Sequence, residues 1–252
     1  MNAIEIRHLT KRFGAVTAVR DLSLSVREGE LFSLLGLNGA GKSTTIKILS
    51  GLLEPDAGET LLEGISVQKD PRTVKALLAV SPQETAVAPN LTARENLRFM
   101  CGIHGLPFPA AEAKTAELTR QLGLDPVLDR RAGKLSGGYQ RRLSIAMALI
   151  SEPRILFLDE PTLGLDVVAR ERFYQLLLED YGETGRTFVV STHILDETNG
   201  VFERVVILDE GKVLEIHPGE GFLQGIFMTY VITEDDEADG VRNGGFGSTD
   251  RR

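Results

Sequence analysis

The stretch GLNGAGKST, residues 36–44, restricts the fold more than any other part of the chain. Gly36, Gly41, Lys42 and Ser43 satisfy the pattern G-x-x-x-x-G-K-[ST], between an apolar run, ELFSLLG, and a helix-like run, TTIKILSGLL. A strand that ends in a glycine-rich turn and restarts as a helix gathers backbone N–H groups around one point, at the positive end of the helix. Such a turn is a phosphate cradle. Asn38, Gly39, Ala40, Gly41 and Thr44 are assigned to it with Lys42, which is placed to reach β and γ phosphates, and Ser43, whose hydroxyl suits Mg²⁺.

The remaining pattern agrees with an α/β layer structure. Strands are expected at 4–9, 30–36, 155–159 and 187–192, and as a pair over 204–216 turning at Glu210 and Gly211. ILFLD and TFVVS lack alternation, as strands buried on both faces do. Between about 85 and 150 the pattern becomes helical: LTARENLRFM after Asn90, AAEAKTAELTRQLGL after Pro109, and YQRRLSIAMALI after two glycines. In the last of these, Leu143, Ala146, Met147 and Ile150 share one face, and Ser136 is expected to cap the start. A helical lobe inserted into an α/β core follows.

Charge and composition narrow the function further. The net charge is −8, of which residues 233–252 carry −3, from six acidic and three basic side chains, leaving −5 elsewhere. An acidic body does not suggest a nucleic-acid reader, and no nucleic-acid partner is expected. That tail mixes charge and glycine without periodicity and is expected to be disordered, with the folded domain over 1–232. Cys101 is the single cysteine and reads as an inert thiol in a reducing cytoplasm. No uncharged apolar run approaches the roughly 18 residues of a membrane span, and the first residues lack a signal-peptide core, so the expectation is a chain that reaches membranes only through a partner.

Two further stretches bear on phosphate chemistry. ILFLDEP (155–161) places Asp159 at a strand's carboxyl end, where ligands of open α/β sheets gather and where it can hold Mg²⁺ beside Ser43. Glu160 follows, able to orient or deprotonate a water. LSGGYQ (135–140) opens a helix with a serine and two glycines, a second anion-seeking terminus in one chain.

With these motifs the sequence resembles, from about residue 4 to about 216, the ATP-binding subunits of ABC transporters. GLNGAGKST, Gln83 in SPQ, LSGGYQ, ILFLDEP, LGLD (163–166) and STH ending at His193 occur in the family's order. The resemblance implies a P-loop NTPase core with a mixed sheet, an N-terminal antiparallel β subdomain and the inserted helical subdomain. It also implies that Phe13 stacks on adenine, that Gln83 senses Mg²⁺ and the γ-phosphate, that Glu160 is the catalytic base, and that His193 contacts the γ-phosphate. Two subunits would pack head to tail, so that Ser136, Gly137 and Gly138 of one complete the ATP site of the other, with Asp166 joining the two.

Leu37, Tyr139 and Val167 depart from the family's commonest residues, and none of them removes a phosphate, metal or proton-transfer group. The implied protein is an ATPase that works as a homodimer with a separate transmembrane permease, on the inner face of the cell membrane. Residues 83–100 would form much of the groove for that permease. The wording around NLTARENLRFMCGIHGL most resembles the branch for drug, sodium or polysaccharide export. A chromosome-associated ATPase would need a long coiled coil between Ser43 and Leu135, where only 91 residues lie. A translation-associated ATPase usually carries two cassettes, and a scaffold without turnover would not need Glu160 and His193.

Overall fold

Apolar residues fill both faces of the central strands, and two cores result. The computed structural model describes residues 1–198 and 200–218, the side chains of Glu215 and Pro218 apart. The chain opens with β1 (Asn2–Phe13) and β2 (Val16–Arg27), continues through β3 (Leu31–Leu35) into helix α1 (Lys42–Leu49), and returns in the hairpin β4 (Ala57–Leu62) and β5 (Ile65–Ser66). Helix α2 (Pro71–Leu77) leads into β6 (Leu78–Ser81), then come α3 (Ala93–Ile103), α4 (Phe108–Gln121) and α5 (Gly137–Leu149). The chain then runs through β7 (Ile155–Asp159), α6 (Val167–Thr184), β8 (Thr187–Thr192), β9 (Arg204–Asp209) and β10 (Lys212–Pro218).

Two sheets form among the described residues. One has the order β2-β1-β4-β5 and is antiparallel throughout; the other has the order β10-β9-β3-β8-β7-β6 and is parallel except for β10. The mixed sheet and the antiparallel N-terminal layer are those expected of a P-loop NTPase. The central strands show why they lacked alternation. On β3, Leu31 and Leu35 join the core beneath α3–α6, while Phe32 and Leu34 join the core shared with α1 and the antiparallel sheet. Strand β7 divides likewise, Leu156 and Leu158 on one side, Ile155 and Phe157 on the other. Phe32, Phe157 and Phe188 are fully buried, each worth roughly 1.5–3 kcal/mol of apolar burial.

The Glu210–Gly211 turn forms as expected: Asp209 pairs with Lys212, and both turn residues have positive φ, 42° and 78°. That is the two-residue turn whose twist matches antiparallel strands. The first strand runs further than residues 4–9, and β2 and β4 were not foreseen. In β2 the buried Val19 and Leu22 break the two-residue period, because β1 and β2 carry bulges, at which His8 and Asp21 take φ of 51° and 49°.

The helices needed smaller corrections. Helix α3 starts at Ala93, two residues later than expected, because Thr92 and Glu95 form a capping box. Helix α4 starts before Pro109, which sits in its first turn, where a missing N–H costs nothing. Ser136 does occupy the N-cap position of α5, but its side chain makes no cap hydrogen bond, correcting the expected serine cap. Leu143, Ala146, Met147 and Ile150 are all buried, as their shared face required. Cys101 is buried and burial pushes its thiol up, as suits an inert side chain. The tail at 233–252 lies outside the described residues.

Candidate active site

Three adjacent parallel strands, β3, β8 and β7, end at the same edge of the sheet, and each delivers part of the site there. From β3 comes the loop of residues 36–41. Gly36 donates its N–H to the Thr192 carbonyl at 3.2 Å, and a Cβ on Gly36 would lie 2.4 Å from the Leu208 carbonyl oxygen. Gly41, at φ +99°, is equally constrained, since a Cβ there would lie 2.4 Å from the Ala18 carbonyl oxygen. These two glycines are required by neighbouring backbone. Gly39, at φ +91°, is different: its would-be Cβ meets nothing within 4 Å, and with Asn38 it forms the exposed rim of the loop. Ala40 is buried and accepts a bond from the Gly211 N–H at 3.2 Å, so the β9–β10 turn clamps the loop from behind.

Lys42 begins α1 with its side chain 5% exposed. Its Nζ donates to the carbonyls of Gly36 at 2.7 Å and Leu37 at 3.1 Å, and lies 3.1 Å from Glu160 Oε1. Ser43 Oγ donates to Asp159 Oδ1 at 3.0 Å, and Ser191 Oγ donates to the same oxygen at 2.5 Å. A hydroxyl and a carboxylate oxygen in contact form a hard-oxygen donor pair of the kind Mg²⁺ takes. Among the described residues no three His, Cys, Asp or Glu side chains form a cation cage. A magnesium ion bound by few protein ligands completes its shell with phosphate oxygens and water. The pair therefore fits Mg²⁺ arriving with a nucleotide.

Glu160 sits just past β7 with φ 48°, a sterically costly conformation for a residue with a Cβ. Its N–H is held by the Ser191 carbonyl at 3.2 Å and by Ser191 Oγ at 3.0 Å, which helps fix the turn. The carboxylate is buried between two nitrogens: Lys42 Nζ at Oε1 and His193 Nδ1, 2.6 Å from Oε2. Strand β8 delivers His193, whose ring is 30% exposed and so has one side in contact with solvent.

The structure brings Lys42, Ser43, Asp159, Glu160 and His193 together, and leaves other expected residues apart from them. Thr44 is half-buried beside Ser43 in α1. Gln83 is exposed; its carbonyl accepts from Arg141 Nη2 at 2.6 Å, and its side-chain amide makes none of the site's described hydrogen bonds. Phe13, at the end of β1, is 51% exposed, with Lys11 Nζ 5.6 Å from the ring centre, so it is not a core residue. Ser136 and Gly137 are exposed and Gly138 half-buried, with no hydrogen bond to residues 36–44. Asp166 is exposed and caps α6, its Oδ1 accepting from the Ala169 N–H at 2.8 Å.

Sequence reasoning missed Arg141. This guanidinium is 4% exposed and donates to three carbonyls, Pro82 and Gln83 at 2.6 Å each and Glu160 at 3.3 Å. Burial pulls its pKa down from the ordinary arginine value, while Asp159 and Glu160 pull it up. It joins helix α5 to the Gln83 segment and the Glu160 turn at once. The adjacent Arg141 and Arg142 gave no sign of which points inward.

Fold and site together define a P-loop nucleotide hydrolase. The ABC transporter family model matches residues 19–163. The linearmycin resistance ATP-binding protein LnrL of Bacillus subtilis (strain 168) is 36% identical over 84% of this chain and 68% of its own length. The Nod factor export ATP-binding protein I of Burkholderia orbicola (strain AU 1054) is 40% identical over 83% of this chain and 68% of its own length. Among solved structures, a dimeric ATP-binding cassette in a post-hydrolysis state with ADP and Pi superposes with a TM-score of 0.77 at 28% identity, covering 87% of this chain and all of the other. The chain belongs to the ABC transporter family, as one of its ATP-binding and ATP-hydrolysing cassettes.

Proposed function

We propose that this cassette drives an exporter, as a homodimer that closes on ATP and opens after hydrolysis. The observation that carries the reading is the row Lys42–Glu160–His193. One buried carboxylate lies between a lysine at the phosphate loop and a histidine with an exposed ring face. When Lys42 turns to phosphate oxygens, Glu160 Oε1 is released towards the loop, while Oε2 keeps its contact with His193. Glu160 then holds or accepts a proton from water as general base, and His193 orients it and reaches the γ-phosphate. Ser43 and Asp159, with Gln83 once its loop swings in, would hold Mg²⁺, whose positive charge offsets that of the phosphates.

The exposed Ser136, Gly137 and Gly138, unattached to their own loop, suit a role in completing a partner copy's site, with Asp166 at the junction. Phe13 offers an open aromatic face to adenine. In this reading residues 1–232 form one ATP-binding domain, with about 85–150 as its helical lobe and residues 83–100 lining the groove for a separate permease. No described helix is long and apolar enough to cross a membrane, so the cassette would sit on the inner face of the cell membrane through that permease. Relatives named for linearmycin resistance and for Nod factor export support the export reading.

The test is Glu160→Gln. We expect MgATP binding within about threefold of wild type, a stable MgATP-dependent dimer by light scattering, and turnover lower by about 10²-fold or more. Wild-type turnover in this variant would remove Glu160 from the role of base, and a monomer at saturating MgATP would remove the closing dimer.

A further inference from the structure

Glu197 is the most completely enclosed acidic side chain whose place the active site leaves unexplained. It follows β8 in a short 3-10 turn, and its side chain is 1% exposed. Three hydroxyls donate to it: Thr162 to Oε1 at 2.6 Å, and Thr192 and Tyr174 to Oε2 at 2.7 and 2.9 Å. Arg170 Nε lies 3.1 Å from Oε1 and supplies the compensating charge. A buried carboxylate is stable when its oxygens are saturated in this way.

The donors come from separate pieces of the site. Thr162 lies two residues after Glu160, in the turn where the Leu163 N–H bonds the Glu160 carbonyl at 3.2 Å. Thr192 immediately precedes His193, and its Oγ1 also accepts from the Ile194 N–H at 3.1 Å. Tyr174 and Arg170 belong to α6, and Arg170 Nη2 reaches the Leu165 carbonyl at 3.5 Å, inside the loop that ends at Asp166. One carboxylate thus fastens the segments that carry Glu160, His193 and Asp166 to a single helix. Burial and the charge of Glu197 push the Tyr174 hydroxyl above its ordinary value, which keeps it a donor.

We propose that Glu197 is a positioning residue for hydrolysis: through Thr162 and Thr192 it sets the spacing between Glu160 and His193 and ties that spacing to helix α6. The proposal rests on the roles given above to Glu160 and His193. Its mechanical content is that movement of α6 changes the Glu160–His193 contact, so that the dimer junction at Asp166 and the reacting groups report to each other. A small misplacement of such groups lowers rate far more than affinity.

The test reads the His193 ring nitrogens by NMR in ¹⁵N-histidine-labelled full-length protein without nucleotide, assigned with His193→Ala. Glu197→Gln and Thr162→Val are expected to move the Nδ1 resonance in the same direction, and Thr162→Ser to restore it. In ATPase assays both variants should lose about tenfold or more in kcat, with KM for ATP within about threefold.

Lower Tm with an unmoved His193 resonance would make Glu197 a fold staple only, and overturn the proposal. A shift in Glu197→Gln without one in Thr162→Val would be a charge effect, and overturn it as well. Because the resonance is read without turnover, a fully active Glu160→Gln would defeat the assignment of the base and leave the fastening intact.

Discussion

Lys42 and Glu160 form a buried ion pair, Nζ 3.1 Å from Oε1, with side chains 5% and 6% exposed. The lysine proposed to bind phosphate and the proposed base therefore neutralise each other, and neither can be removed without consequence for the other. Lys42→Ala is expected to weaken ATP binding by about tenfold or more, since a charge-assisted hydrogen bond is worth about 1.5–3 kcal/mol. It should also lower stability, because Glu160 keeps only His193. Adding Glu160→Gln should recover part of that loss, a coupling of about 0.5–3 kcal/mol in a double-mutant cycle read by urea unfolding. Strict additivity of the two substitutions would show that the pair contributes nothing to the fold.

The turn between β9 and β10 backs the loop of residues 36–41, the Gly211 N–H bonding the Ala40 carbonyl, although it bears no candidate site side chain. Gly211, at φ +78°, has the Ala18 carbonyl oxygen 2.7 Å and the Val19 Cα 2.9 Å from where a Cβ would be. Its N–H bonds the Ala40 carbonyl and its carbonyl accepts from the Arg20 N–H at 2.7 Å. Gly211→Ala must displace the turn, the β1–β2 hairpin or the phosphate loop. We expect a stability loss on the order of 1–3 kcal/mol by urea unfolding, together with a measurable rise in the Kd for ATP. A variant that binds ATP as wild type does would show that the clamp can slide without moving the loop.

The parts of the site that were legible in the sequence are those whose geometry is local. The loop 36–44, the strand end at Asp159 and Glu160, and His193 after β8 each announce themselves within a few residues, since strand, turn and helix start are adjacent in the chain. Arg141 and Glu197 were not legible. Their roles depend on partners 58 and 35 residues away, Gln83 and Thr162, and nothing near either residue marks it as inward-facing. The antiparallel sheet was implied by the resemblance, but its strand β2 was not legible in the residues themselves: an irregularity in the pairing with β1 sets the buried Val19 and Leu22 three residues apart, which breaks the two-residue strand period. Asp166 shows the converse, a residue assigned to a junction that also performs a local task.

Helix α3 offers a pH test that does not touch catalysis. The Glu95 carboxyl accepts from the Thr92 N–H at 2.8 Å and from the Thr92 hydroxyl at 3.0 Å. The Thr92 backbone bond first, then its hydroxyl, hold Glu95 below the ordinary value of 4.5. A carboxyl with a lowered folded pKa is protonated first in the unfolded chain. Its stabilisation is therefore complete above 4.5 and is lost as pH falls through the lower folded value. The difference in urea midpoint between wild type and Glu95→Gln should be constant from about pH 6 to 8 and close as the carboxyl is protonated. A gap that persists at pH values where Glu95 is protonated would mean that the charge is not what the cap uses.

Asp166 separates a fold role from an assembly role. Its Oδ1 caps α6 by accepting from the Ala169 N–H at 2.8 Å, with the extended backbone, φ −69° and ψ 167°, usual for such a cap. Asp166→Ala should cost about 1 kcal/mol in urea unfolding, and Asp166→Asn, whose amide oxygen can cap equally well, should cost almost nothing. The two variants diverge where the carboxylate's charge matters. In the Glu160→Gln background, an Asp166→Asn chain that keeps its stability but requires at least about tenfold more MgATP to dimerise, a difference of about 1.4 kcal/mol, would place the charge of Asp166 at the junction between copies. Unchanged dimerisation in Asp166→Asn, with a loss only in Asp166→Ala, would confine Asp166 to holding the first turn of α6.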